Sequence, residues 1–220
     1  MLRAAKSYAL SLARLENATR AFFNRQLMIS QGAVMEMAGE SYEVILEDCP
    51  VYDPASADNS IRVGHEYVLQ ASAAYRPRSF HVVRVLRNDE EIASCILIAG
   101  GGASAIHDNS AVPVEDVLYI AVGDQLAALS LPTLKLTWSA QADNATCFGV
   151  FYCEQRDCLI THGELTIARF SRAGKVEWQT GGPDIFTGQC KLEEDAVRVV
   201  DFNGDVYRLR LDDGQCLPAN

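Results

Sequence analysis

The residue types able to bind a ligand or move a proton gather in the second half of this chain. Two of its four histidines, His107 and His162, lie there among Asp108, Asn109, Asp124, Asp143, Asn144, Glu164, Asp184, Asn203 and Asp205. An imidazole beside carboxylates is a general acid–base pair, a cation site or a pH-sensitive contact, because nearby negative charge favours the protonated ring. No complete catalytic or metal motif contains them. There is no His-x-x-x-His pair and no Cys/His zinc spacing. Cys153 and Cys158 have metal-like spacing but read as strand–turn–strand with both thiols in the core. Ser104 and His107 are close in sequence, yet no third group marks a nucleophile–base pair, and no Gly-x-Ser-x-Gly elbow exists. Gly100-Gly101-Gly102 lacks the Lys-Ser/Thr of a phosphate loop. Asp201-Phe202-Asn203-Gly204-Asp205 has the look of a calcium loop but no distal Glu, so an Asn-Gly hairpin is expected there. The sequence therefore names binding-face candidates and no catalytic, metal or cofactor residue.

A repeat positions these residues. The two tryptophans, Trp138 and Trp178, lie 40 residues apart, and similar text leads to each. Residues 116–138 read DVLYIAVGDQLAALSLPTLKLTW, 157–178 read DCLITHGELTIARFSRAGKVEW, and 195–217 read DAVRVVDFNGDVYRLRLDDGQCL. Each unit is a β-rich run, a tight polar turn, a second run, a second turn and a short third run. One further strand precedes each unit: Ser110–Val114, Cys147–Cys153 and Phe186–Leu192. Four strands in about 40 residues is the period of a propeller blade. In a blade the turn between strands two and three shares a face with the crossover into the next blade. Asp124, His162, Glu164, Asn203 and Asp205 (turns) should thus meet His107, Asp108, Asn109, Asp143, Asn144 and Asp184 (crossovers).

Leu126–Trp138, in which the third strand runs through Pro132-Thr133-Leu134-Lys135 to a terminal Trp, resembles the blade motif of quinoprotein-like (PQQ-like) and WD-type propellers. Leu134 stands where that motif has Gly; Ala173-Gly174-Lys175-Val176-Glu177-Trp178 matches better; Asp213-Gly214-Gln215-Cys216-Leu217 keeps the Gly and loses the Trp. The resemblance covers roughly residues 104–217. It implies a blade fold, and in the quinoproteins a quinone cofactor with calcium. That cofactor is not carried over, because these few blades cannot close its ring and no adjacent Cys-Cys pair is present.

Upstream, Phe80–Arg87 and Glu91–Ile98 flank Asn88-Asp89 as a hairpin with imperfect alternation. Tyr42–Leu46 and Glu66–Ala71 are further strand candidates, and Pro54–Ser60 reads as a polar loop. The expected fold is mainly β: an open, partial propeller-like array (a half-propeller) of antiparallel four-stranded blades with a short N-terminal helix. The expected divisions are a basic helix or tail at 1–28 and a β domain at 29–220. Within that domain lie a degenerate blade and cap at 29–103, blades at 104–143 and 144–183, and a partial blade at 184–220.

Composition agrees. The 220 residues are 49% apolar and 22% charged, ordinary for a globular chain. The net charge of −10 argues against general nucleic-acid binding. It is unevenly placed, with 1–28 at +4 and 29–220 at −14. The leader fits three readings: an amphipathic helix docked on the body, a targeting segment, or a tail upstream of a later start at Met28, Met35 or Met37. No 18-residue apolar run is present. Seven cysteines without a Cys-x-x-Cys pair point to core thiols in a reducing cytoplasm. The expected function is a non-enzymatic protein-interaction module for a basic partner, an immunity-like protein being one form, with homodimerisation through open sheet edges. The alternative is a small-ligand- or metal-dependent enzyme using His107, His162 and Glu164.

Overall fold

The structure is a computed structural model describing residues 32–36, 42–69 and 76–218. The 1–28 segment and its expected helix lie outside the described residues. Sixteen strands form four sheets. The first sheet contains β1 (Gly32–Glu36), β2 (Glu43–Asp48), β3 (His65–Val68), β4 (Ser79–Arg87) and β5 (Glu90–Ala99), in the order β1-β2-β4-β5-β3. The second is β6 (Ala111–Val114), β7 (Val117–Val122), β8 (Gln125–Ser130) and β9 (Lys135–Gln141). The third is β10 (Cys147–Cys153), β11 (Cys158–Gly163), β12 (Thr166–Ser171) and β13 (Val176–Gly181). The fourth is β14 (Cys190–Leu192), β15 (Ala196–Val200) and β16 (Val206–Arg210), along which a single bridge, Leu209 to Cys216, starts a further pairing. The last three are antiparallel meanders in sequence order, as blades are.

Each junction between sheets is a filled core. Val83, Val85, Cys95 and Leu97 of the first sheet meet Leu118, Ile120, Ala127 and Leu129 of the second. Tyr119, Leu126 and Ala128 on the second sheet's other face meet Val150, Leu159 and Phe170 of the third. Ile160 and Ile167 then meet Phe186, Val197, Val199 and Leu209 of the fourth. Strands buried on both faces carry apolar side chains at successive positions, not alternate ones. That explains the imperfect alternation of β4, whose Val83 and Val85 face one core while Val82 faces another. The stack is open, since among the described residues no core joins the first sheet to the fourth.

The two outer faces differ. The first sheet's outer face, with Val82, Ile96 and Ile98, is covered by Cys49, Tyr52, Ile61 and Val63 from the β2–β4 connection. The same connection lays β3 parallel to β5 along the sheet's outer edge. The fourth sheet's outer face has no such cover among the described residues.

At one end of the stack the tryptophans bind neighbours together. The Trp138 indole N–H donates to the Arg172 carbonyl at 3.1 Å, and that of Trp178 to the Leu211 carbonyl at 2.9 Å. The rings lie on the turn glycines of the next sheet, where an added Cβ would come 2.7 Å from Trp138 at Gly174 and 2.6 Å from Trp178 at Gly214. Both glycines also have positive φ, at 81° and 70°. The first unit's Leu134 keeps the left-handed backbone (φ 56°) but meets no Trp. It is buried, and its carbonyl accepts from the Tyr67 hydroxyl of β3 at 3.2 Å.

Candidate functional site

At the other end, the crossovers and the turns between second and third strands interlock. Cys147 N–H donates to Gly123 O, Glu164 N–H to Thr146 O, Phe186 N–H to Glu164 O, and Phe202 N–H to Ile185 O. This places the turn and crossover candidates on one face, as the repeat requires. They do not share one role. Asp143 is buried and saturated: Oδ1 accepts from Ala145 N–H at 2.7 Å, and Oδ2 from Leu165 N–H, Thr166 N–H and Thr166 Oγ1 at 2.9–3.0 Å. Asp124 is also buried, with Oδ1 accepting from Gln125 Nε2. Glu164 accepts from Thr146 Oγ1 at 2.8 Å, and Asp184 from Asn203 Nδ2 at 2.7 Å. Asn144 accepts weakly from Gln141 Nε2 at 3.4 Å. Asp108, Asn109, Asn203 and Asp205 are exposed.

The turn at 201–205 differs from the two-residue type I′ form expected there. Only Gly204 has positive φ, and Asp201 N–H donates to Asp205 O. This is a three-residue loop closed by a left-handed glycine. It lifts Phe202 into solvent at 69% exposure. The type I′ geometry occurs instead at Asn88-Asp89, where both φ are positive.

The histidines serve the backbone. His107 Nε2 donates to Phe148 O at 2.7 Å while its Nδ1 accepts from Asn109 N–H at 3.2 Å. His162 Nε2 donates to Phe186 O at 2.9 Å, and its ring meets Phe148 edge-on at 5.4 Å. Burial pulls the His162 pKa down to about 4, with His107 adding to the effect; the Phe186 hydrogen bond and Asp143 oppose it. The expectation that neighbouring carboxylates would hold this imidazole protonated is overturned, because desolvation outweighs them.

The sequence did not single out His81. It is fully buried, with Nε2 3.2 Å from Asp48 Oδ1, 3.2 Å from Ser104 O and 3.3 Å from Ser104 Oγ. A Ser-His-Asp triad needs acid and nucleophile on opposite ring nitrogens, and here both meet the same one. Burial lowers the His81 pKa. Six of the seven cysteines are buried and all are unbridged. Burial raises Cys95, Cys158 and Cys190 to about 12, far from thiolate chemistry. Among the described residues no three His, Cys, Asp or Glu side chains converge as metal ligands, and no helix is long and apolar enough to cross a membrane.

Beside this face a cleft of about 570 Å³ opens along the first strands of successive sheets. Phe148, Gly149 and Phe151 of β10 form one wall, Thr187–Leu192 the other, and His107, Asn109 and His162 the end. The cleft arises between β10, the 187–192 segment and the 107–109 crossover, which are far apart in the chain, so no local signal in the sequence marks it. Phe202 could have been noticed as an aromatic in an otherwise polar turn.

No protein-family profile matches the chain, and no curated protein does. Similar solved structures include BamB from Moraxella catarrhalis, at 14% identity and TM-score 0.44, over 51% of this chain and 35% of that one. The WD40 β-propeller domain of Doa1 is similar at 13% identity and TM-score 0.43, over 62% and 46%. The computationally designed Ika8 protein is similar at 10% identity and TM-score 0.47, over 63% and 45%. The matched region spans less than half of each of these chains. The last three sheets, antiparallel meanders in sequence order, are propeller-type blades in an open array.

Proposed function

We propose that this chain is a non-enzymatic interaction module that docks a basic protein surface on its crossover face. The observation that carries the reading is charge segregation. The segments forming the face (101–110, 123–125, 142–149, 163–166, 181–188 and 201–205) contain seven carboxylates and no Lys or Arg. Three of the seven, Asp124, Asp143 and Asp201, are buried. The other four, Asp108, Glu164, Asp184 and Asp205, reach solvent; Asp205 shares the turn of exposed Phe202, and Asp184 is bonded to that turn through Asn203. An aromatic anchor flanked by charges of one sign suits a docking hot spot, and the charges speed encounter with an oppositely charged partner. An immunity-like role, neutralising a basic protein, is one form of this reading and rests on the charge alone. Homodimerisation through open edges would use edge strands such as β6, β10 or β14.

The test is affinity capture from native lysate with the full chain as bait, at low and high salt, beside Phe202→Ser. The reading expects a basic partner whose retention falls with salt and drops roughly tenfold with Phe202→Ser. Capture of nothing at low salt, or of partners indifferent to both changes, would contradict it.

A further inference from the structure

The cleft and the bare face of the fourth sheet meet at β14, and together they describe a second ligand, unlike the basic partner, on a site that borders the crossover face. β14 lies at the edge of its sheet, so its inner side has no strand partner among the described residues. Such an edge is a template for an added strand. The register fixes what each side of that strand would meet. Lys191, Arg198 and Arg208 are directly opposite one another across β14, β15 and β16, so they share one face. Cys190, Val199 and Tyr207 form the adjacent row on the other face, as do Leu192, Val197 and Leu209, and both rows belong to the core shared with the third sheet.

The cationic row is unbalanced. Like charges directly opposite each other on a sheet are unfavourable. Arg208 is paired with Glu193 at 2.7 Å and Asp195 at 3.6 Å, but Lys191 and Arg198 have no ion-pair partner among the described residues. Lys191 is also the only Lys or Arg lining the cleft, and no carboxylate lines it, in a chain of net charge −10. The remaining walls offer the half-buried rings of Phe148 and Phe151 and the exposed side chains of Asn109 and Gln189.

We propose that the open edge of β14 takes an extended segment of a partner protein in which acidic and apolar residues alternate. Its backbone pairs with β14. Its acidic side chains fall in the row of Lys191 and Arg198 and supply the missing negative charge. Its apolar side chains fall in the rows of Cys190 and Leu192 and extend the core toward Phe151 and Phe148. Side-chain period two makes this alternation obligatory for any strand added in register.

The test uses the full chain at about 0.15 M salt with a fluorescein-labelled peptide, acetyl-(Glu-Val)3-amide, and its (Lys-Val)3 counterpart. Fluorescence anisotropy reads affinity, and amide shifts of isotope-labelled protein read location. The native chain is expected to bind the Glu-Val peptide, to shift the Cys190 and Leu192 amides, and to ignore the Lys-Val peptide. Lys191→Glu should weaken Glu-Val binding roughly tenfold or more. The double variant Lys191→Glu, Arg198→Glu should reverse the preference, a gain that misfolding cannot imitate. Equal binding of both peptides, shifts away from β14, or indifference to Lys191→Glu would overturn the proposal. So would self-association abolished by Lys191→Glu with no peptide binding, which would give the edge to a second copy.

Discussion

The two ends of this array join the same sheets by opposite means. At the tryptophan end, an indole lies on the next sheet's turn glycine and donates to its carbonyl, and the charges around it are mixed and paired. Arg172 bridges Glu115 and Asp157, and Arg156 meets Asp212. At the crossover end the connecting segments of the last three sheets carry no Lys or Arg, and exposed Arg78 of the first sheet adjoins them beside Ala99. Buried Asp143 does the joining there by accepting from the backbone N–H groups of the next turn. The difference teaches that acidity alone does not mark function. Asp143 is acidic because the joint between a crossover and the next turn needs an acceptor, whereas Asp205 is exposed to solvent.

The largest effect should come from breaking the crossover joint. Asp143→Ala takes the acceptor from three half-buried donors on Leu165 and Thr166 and one on Ala145, and should cost on the order of 4 kcal/mol in urea unfolding. A loss below that of a surface substitution would remove the structural role assigned to Asp143. The equivalent break at the other end, Trp178→Ala, should cost about 3 kcal/mol, because it empties the seat on Gly214 and leaves the Leu211 carbonyl with Arg169 as its remaining donor.

Acid should loosen the crossover end further. The unfolded His162 ring takes a proton near pH 6.5, the folded one only near 4. Its neutral form is the folded form, so stability is whole above pH 6.5 and declines as pH falls toward 4, by about 2 kcal/mol at pH 5. His81, lowered by the same desolvation, acts in the same direction. Urea midpoints at pH 7 and 5 measure the slope, and His162→Gln should flatten it. The smallest effect is Arg172→Ala, whose partners are exposed carboxylates; it should cost under about 1 kcal/mol and lose even that in high salt.

Much of the fold was legible because its signals are local. The Trp138–Trp178 spacing, the Gly174 and Gly214 turns and the alternating runs between them lie within one repeat. Even the departure at Leu134 had meaning, since no Trp from the first sheet needs that seat. The cover of the first sheet was not legible. Cys49, Tyr52, Ile61 and Val63 are scattered among Asp and Ser, and β3 reaches β5 as a parallel edge some 30 residues away. For the candidate site, the sequence brought turn and crossover residues to one end but expected carboxylates rather than burial to dominate at His162. Their partners are the Phe148 and Phe186 carbonyls, which no side-chain pattern reports.

The central claim is that the exposed acids of the crossover face, not the bulk charge, recruit a basic partner. Two baits of equal net charge test it most directly. One carries Glu164→Gln, Asp184→Asn and Asp205→Asn on the crossover face; the other carries Glu115→Gln, Asp157→Asn and Asp212→Asn at the tryptophan end. The account predicts that the first loses the salt-sensitive partner held by the native chain and the second keeps it. Equal loss from both, or loss from the second alone, would contradict it.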